Sequence, residues 1–142
     1  MFSKSCEYGI KSVIYIAQHS SELNPVNVGL ISKGINAPEF FIAKILQDLS
    51  KKRFINSLKG PKGGFFITEE QRKLPIMELV KIIDGDDIFS KCVLGLENCS
   101  NLNPCPMHNE YQNIRKDTIN MLENNSIQDF CSLINKNKAV LI

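Results

Sequence analysis

The sequence predicts a mainly α fold with a small β-hairpin: a winged helix-turn-helix followed by a long C-terminal dimerisation helix. Three features predict it. Two amphipathic helical stretches are separated only by residues 35–37, a glycine-rich basic turn between two strand-like runs follows at once, and a long polar helical stretch lies towards the C-terminus.

Taken in order, Ser3 can cap a first helix in which Ile10, Val13, Ile14 and Ala17 fall at i, i+3, i+4 and i+7, giving one apolar face as far as about His19. Asn24-Pro25 breaks that pattern. Asn27 can cap a short second helix carrying Val28, Leu30 and Ile31, which Gly34 is expected to end. Pro38 then opens a third helix, because its missing N–H would be unpaired in a first turn anyway, and Ile42, Ile45, Leu46 and Leu49 form its buried stripe. Residues 54–58 and 65–67 read as strands joined by Lys59-Gly60-Pro61-Lys62-Gly63-Gly64, residues that preset φ or tolerate positive φ. This hairpin is the wing. Leu74-Pro75 starts a helix with Ile76, Leu79, Val80 and Ile83, stopped by Asp84-Gly85. Residues 86–106 have no periodicity and are expected to form an ordered loop. From about 106 to 123 a longer helix offers only Ile114, Met121 and Leu122 as apolar positions, too few for a central core element. Its expected use is a seam with a second copy of the chain, since paired winged helices read two half-sites. Asn124-Asn125 ends it, and Ser126 can cap a last helix through Leu133.

A chain of 142 residues with 43% hydrophobic content suits one globular protomer. At this size roughly 68% of the unfolded surface can be buried, so no disulfide staples are needed. No apolar run approaches the roughly 20 residues of a membrane span, and no apolar stretch precedes a small-residue cleavage site, so a cytoplasmic protein without membrane contact is expected. Thiols stay reduced in that compartment. Five cysteines, an odd number, therefore point to metal, redox chemistry or burial ahead of a disulfide framework.

The formal net charge of +2 hides an uneven distribution: residues 1–73 carry net +5 and residues 74–142 net −3. Lys33, Lys44, Lys51, Lys52, Arg53, Lys59 and Lys62 fall within one stretch of 31 residues that holds only Glu39 and Asp48 as acids. Such an excess suggests contact with a polyanion, and its ordinary alternative is a solvated basic face.

Cys92, Cys99 and Cys105 are spaced C-x6-C-x5-C, and Cys105-Pro106-Met107-His108 adds an imidazole three residues beyond the last thiol. Three thiolates and one further ligand complete the set for tetrahedral zinc or an iron–sulfur cluster. Zinc knuckles favour tighter spacing, so the wide gaps lean towards iron–sulfur; free reduced thiols are the plain alternative. Cys6, one turn before Ile10, and Cys131, among Ile127, Phe130, Leu133 and Ile134, read as buried small hydrophobes. Cys105 and His108 could pair as nucleophile and base, but no third group or oxyanion-hole motif stands near them, and an enzyme is not expected.

The opening Cys6-Glu7-Tyr8-Gly9-Ile10, residues 38–55, the wing Gly60-Pro61-Lys62-Gly63-Gly64-Phe65, the helix Leu79-Val80-Lys81-Ile82-Ile83-Asp84-Gly85, the three cysteines and Cys105-Pro106-Met107-His108 together resemble the iron–sulfur winged-helix transcription regulators of the IscR/NsrR type, the Rrf2 family. The resemblance spans nearly the whole chain. It implies a homodimeric bacterial repressor or activator whose affinity for double-stranded DNA responds to a 2Fe-2S or 4Fe-4S cluster. Carried onto this sequence, Cys92, Cys99 and Cys105 would be thiolate ligands. The fourth would be His108, as in IscR-like members, or Glu7 supplied by the partner subunit, as in NsrR-like members.

On this reading residues 1–84 are the DNA-binding part and residues 85–142 the cysteine loop and dimerisation helices, with the first helix contacting the partner. DNA contact is expected from the start of the third helix, at Pro38, Glu39, Phe40, Ala43 and Lys44, from Lys51 with Lys52 and Arg53, and from the wing at Lys59, Gly60, Pro61, Lys62 and Gly63. Adjacent positions on a helix rarely both face DNA, so core is the alternative for Phe40 and Phe41. Two other readings share these residues: a winged-helix regulator using zinc or a thiol switch, and a winged-helix module that binds protein.

Overall fold

Ser3 begins the first helix as a side-chain cap: its hydroxyl accepts from the Cys6 amide at 3.0 Å. In the computed structural model, which describes residues 1–142, that helix is α1 (Lys4–His19). It is the hub of the core, burying Cys6, Val13, Ile14, Ile16 and Ala17 and packing on α2 (Val28–Ile35), α3 (Glu39–Lys51), α5 (Ile76–Asp84) and α8 (Ile127–Asn135). Asp84, the last residue of α5, accepts the Ser3 amide at 2.9 Å and the Ser3 hydroxyl, so the start of α1 is tied to the end of α5.

Asn27 caps α2 through its Oδ1 on the Leu30 amide at 2.9 Å. The helix does not stop at Gly34. It continues to Ile35, and the left-handed residue that closes it is Asn36, with φ 52°. Gly34 serves packing instead: a Cβ there would lie 2.1 Å from Cε2 of Tyr15, so glycine is what lets α2 approach α1. Pro38 stands at the N-cap of α3, and its carbonyl accepts from the amides of Phe41 and Ile42. Ile42, Ile45, Leu46 and Leu49 are buried as the periodicity requires, each apolar side chain contributing roughly 1.5–3 kcal/mol.

The wing is shorter in regular pairing than its sequence suggests. β1 (Asn56–Leu58) pairs antiparallel with β2 (Gly64–Phe66), while Phe54, Ile55 and Ile67 are buried in the core at its base. The tip closes with a 2.9 Å bond from the Gly63 amide to the Gly60 carbonyl. On the other side of β2, Phe65 exchanges both backbone bonds with Val26, at 2.9 and 2.7 Å. This close approach explains Gly64: its φ is 155°, and a Cβ would lie 2.4 Å from the Val26 carbonyl oxygen.

A short helix missing from the sequence reading, α4 (Glu69–Arg72), follows the wing. Thr68 and Gln71 cap it reciprocally, and the Gln71 side chain also bonds Asn56 at 2.6 Å and the Arg53 carbonyl at 2.9 Å, bracing the base of the hairpin. A single turn, α6 (Asp87–Ser90), then leads into the cysteine loop. α7 (His108–Glu123) packs on α5 and buries only His108 and Leu122, leaving Ile114 and Met121 exposed. Ser126 caps α8 in a second capping box with Asp129, and Ile127 and Cys131 bring α8 into the same core as α1. No helix is long and apolar enough to cross a membrane.

Candidate functional site

Two regions collect the residues singled out by sequence. The first is the leading edge of α3 with the wing. Pro38, Glu39, Phe40 and Lys44 are exposed and Ala43 is half-buried. Neither Phe40 nor Phe41 belongs to the core: Phe40 is 91% exposed, and Phe41, 41% exposed, packs edge-on against Tyr8 with centroids 5.6 Å apart. Lys51, Lys59, Gly60, Pro61 and Lys62 are exposed and Gly63 is half-buried; a Cβ on Gly63 would meet the Leu58 carbonyl oxygen at 2.1 Å. None of Lys44, Lys51, Lys52, Arg53, Lys59 and Lys62 takes part in an ion pair; the four in the structure involve other cations. A run of cations without local carboxylate partners keeps its attraction for an external polyanion.

The second region is the loop between α6 and α7. Gly95 at φ 74° turns the chain back after Cys92, with its amide on the Cys92 carbonyl at 2.9 Å. Cys92 is buried. The polar backbone at Leu96 and then Leu94, with smaller contributions from the Cys105 thiol and the Arg115 charge, holds the Cys92 thiol below its ordinary range, against the opposing effect of burial. The Cys105 carbonyl accepts the His108 amide at 3.0 Å, which starts α7 directly behind the last cysteine. His108 is 5% exposed, and its ring bridges Cys99 Sγ at 3.4 Å through Nδ1 and Asn101 Oδ1 at 2.7 Å through Nε2.

Of these donors Cys99 and His108 stand in contact, and no three of the four converge on one ion-sized point. Their chemistry suits a thiolate-held group. Three thiols and an imidazole are the donor types that hold iron–sulfur clusters, and the imidazole is oriented by an amide oxygen. Glu7 lies elsewhere, half-buried on α1 and paired with Lys4 at 2.9 Å. Lys4 holds its carboxyl below the usual carboxylate range.

Cys6 and Cys131 are core residues, as their neighbours in sequence suggested. Burial pushes the Cys6 thiol up to about 12 and raises that of Cys131, so both remain protonated and inert. The residue that sequence reasoning missed is Arg115, whose guanidinium donates to Cys99 Sγ at 3.6 Å and to the Lys91 carbonyl. Its spacing from His108, i to i+7, places both on one face of α7 and was the signal available.

Residues 2–132 match the model of the family Rrf2, described as an iron-dependent transcriptional regulator. A protein of Aquifex aeolicus (strain VF5) described as an HTH-type transcriptional regulator is 28% identical over 138 residues, covering 96% of this chain and 94% of its own. The HTH-type transcriptional regulator IscR of Xenorhabdus nematophila is 22% identical over 94% of this chain and 78% of its own length. Among solved structures, CymR, the global cysteine regulator of B. subtilis, superposes with a TM-score of 0.73 at 17% identity, covering 93% of this chain and 96% of that one. The IscR of T. potens gives a TM-score of 0.73 at 16% identity, covering 99% and 92%. These superpositions show the same winged-helix fold.

Proposed function

This chain belongs to the Rrf2 family of transcription regulators, and from that premise we propose that it is a homodimer whose affinity for operator DNA is set by an iron–sulfur cluster held by Cys92, Cys99, Cys105 and His108. That it is a DNA-binding regulator and not an enzyme follows from the family and the fold. The cluster reading rests above all on the contact of Cys99 with His108, which brings the imidazole to the thiols within one protomer. Glu7, engaged by Lys4 on its own helix, is the less favoured fourth ligand. The wide C-x6-C-x5-C spacing favours a group with more than one iron, 2Fe-2S or 4Fe-4S, over a single tetrahedral zinc.

An iron–sulfur cluster supplies a group whose integrity and redox state respond to nitric oxide, oxygen and iron supply. The protein's part is mechanical. Cys92 opens the loop beside α6, His108 begins α7, and Cys99 lies between them, so ligation by all four residues anchors the loop to α7. We read residues 85–142 as the loop and dimer helices, with the polar α7 and its exposed Ile114 and Met121 at the seam, and residues 1–84 as the DNA-binding part. Anchoring the loop to a seam helix sets the separation of the two α3 helices, and only a separation near roughly 34 Å puts both in successive major grooves on one duplex face.

Stripping iron with a chelator under anaerobic conditions is expected to change operator affinity at least tenfold, about 1.4 kcal/mol of coupling, measured by fluorescence anisotropy before and after treatment. Equal affinity in both states would remove the cluster from the regulatory mechanism.

A further inference from the structure

Arg115 presents an arrangement that packing alone does not call for. It stands in the middle of a polar helix, yet it is half-buried, its Nε is enclosed without a hydrogen-bond partner, and it joins none of the ion pairs of the fold. Its guanidinium instead reaches into the cysteine loop at two places. One terminal nitrogen donates to Cys99 Sγ at 3.6 Å, the other to the carbonyl of Lys91, the residue before Cys92. The Tyr111 ring, one turn back on α7, lies 5.2 Å from the guanidinium carbon and supports it from the side. His108, two turns back on the same face, contacts the same sulfur.

A guanidinium that is partly desolvated and has no carboxylate partner carries an uncompensated charge. The groups it faces are a carbonyl and a thiol. An anionic group built on the thiols would supply the missing counter-charge, and the planar fork of arginine, unlike an ammonium, can donate to two places at once.

On the cluster reading given above, we propose that Arg115 is a positioning residue for the cysteine-loop cofactor, holding Cys99 and the Lys91–Cys92 backbone against α7 and biasing the bound cluster towards its reduced, more negative state. It acts through Cys99 and is not itself a ligand. Because it sits on α7, it is also a link by which the state of the loop reaches that helix.

The test uses the full-length protein and its Arg115→Gln and Arg115→Lys variants in two measurements. In the cluster-loaded protein, Arg115→Gln is expected to shift the reduction equilibrium about tenfold towards the oxidised form, ~59 mV for one electron, because hydrogen bonds and cations near the sulfurs favour reduction. Arg115→Lys should fall between, since an ammonium keeps the charge but not both contacts. Equal potentials in all three proteins overturn the redox role. In the cluster-free protein, hydrogen exchange of residues 91–99 should rise roughly tenfold in Arg115→Gln while α3 and α5 stay protected; unchanged exchange there overturns the positioning role. If Arg115→Gln does not fold, Arg115→Lys is expected to show both effects at reduced size, and its identity with wild type overturns the proposal. A wild type that takes up no cluster would defeat the proposed function alone, because the exchange measurement judges Arg115 without it.

Discussion

Cys99→Ser protein isolated without air is expected to show no visible absorption, to bind operator DNA as the iron-stripped wild type does, and to unfold within a few degrees of wild type. The three outcomes have separate causes. A serine hydroxyl does not ionise near neutral pH and is a poor iron ligand, so one of the four donors is lost. The operator effect follows because Cys99 is the donor between Cys92 at one end of the loop and His108 on α7, and without it the loop is no longer anchored at its middle. The stability effect is small because Cys99 lies outside the core cluster and its contacts are His108 and Arg115, so the change resembles a surface substitution, roughly 0.5 kcal/mol. The combination separates loss of a ligand from loss of the fold. Visible absorption that survives Cys99→Ser would take this residue out of the ligand set.

Replacing both wing lysines, Lys59→Ala with Lys62→Ala, is expected to weaken binding to specific and non-specific duplexes alike. Both side chains are exposed and neither forms an ion pair, so the hairpin does not depend on them. Its geometry comes from the Gly60–Gly63 turn and from the clasp of Phe65 on Val26. Each phosphate neutralised adds about 0.9 to the slope of log K against log salt, so the double variant should lose about 1.8 per protomer and twice that in a dimer. The slope, measured between 50 and 200 mM salt, distinguishes phosphate contact from base reading, which would alter sequence preference at constant slope. A slope equal to that of wild type would remove the wing from the interface.

What the sequence makes legible here is local and periodic. The apolar stripes of α1, α3 and α5 stand out at helical spacing, Ser3, Asn27 and Ser126 announce their caps, and the glycine-rich basic turn between aromatic runs announces the wing. What escaped depends on contacts between distant segments. Gly34 looked like a helix stop because nothing nearby in sequence reveals the Tyr15 ring that requires it, and the true left-handed closure fell to Asn36 two residues later. α4 carries a Thr-x-x-Gln capping box that was there to be read, but four residues give no periodicity to draw attention to it.

The cysteine loop shows the same division. Spacing identified Cys92, Cys99, Cys105 and His108 as candidates, but it did not say which would meet. The pairing of Cys99 with His108 and the reach of Arg115 from two turns along α7 arise only when α7 is laid beside the loop. Of the two candidates for the fourth ligand, His108 stands beside a thiol of its own protomer and Glu7 is paired with Lys4 on α1.

The most direct test of the account is an absorption spectrum of the wild-type protein isolated without air, taken with a count of iron and acid-labile sulfide. Visible absorption and equal amounts of iron and sulfide, two or four of each per protomer, with no zinc, are the expected result. A colourless protein, whether zinc-loaded or free of metal, would contradict it.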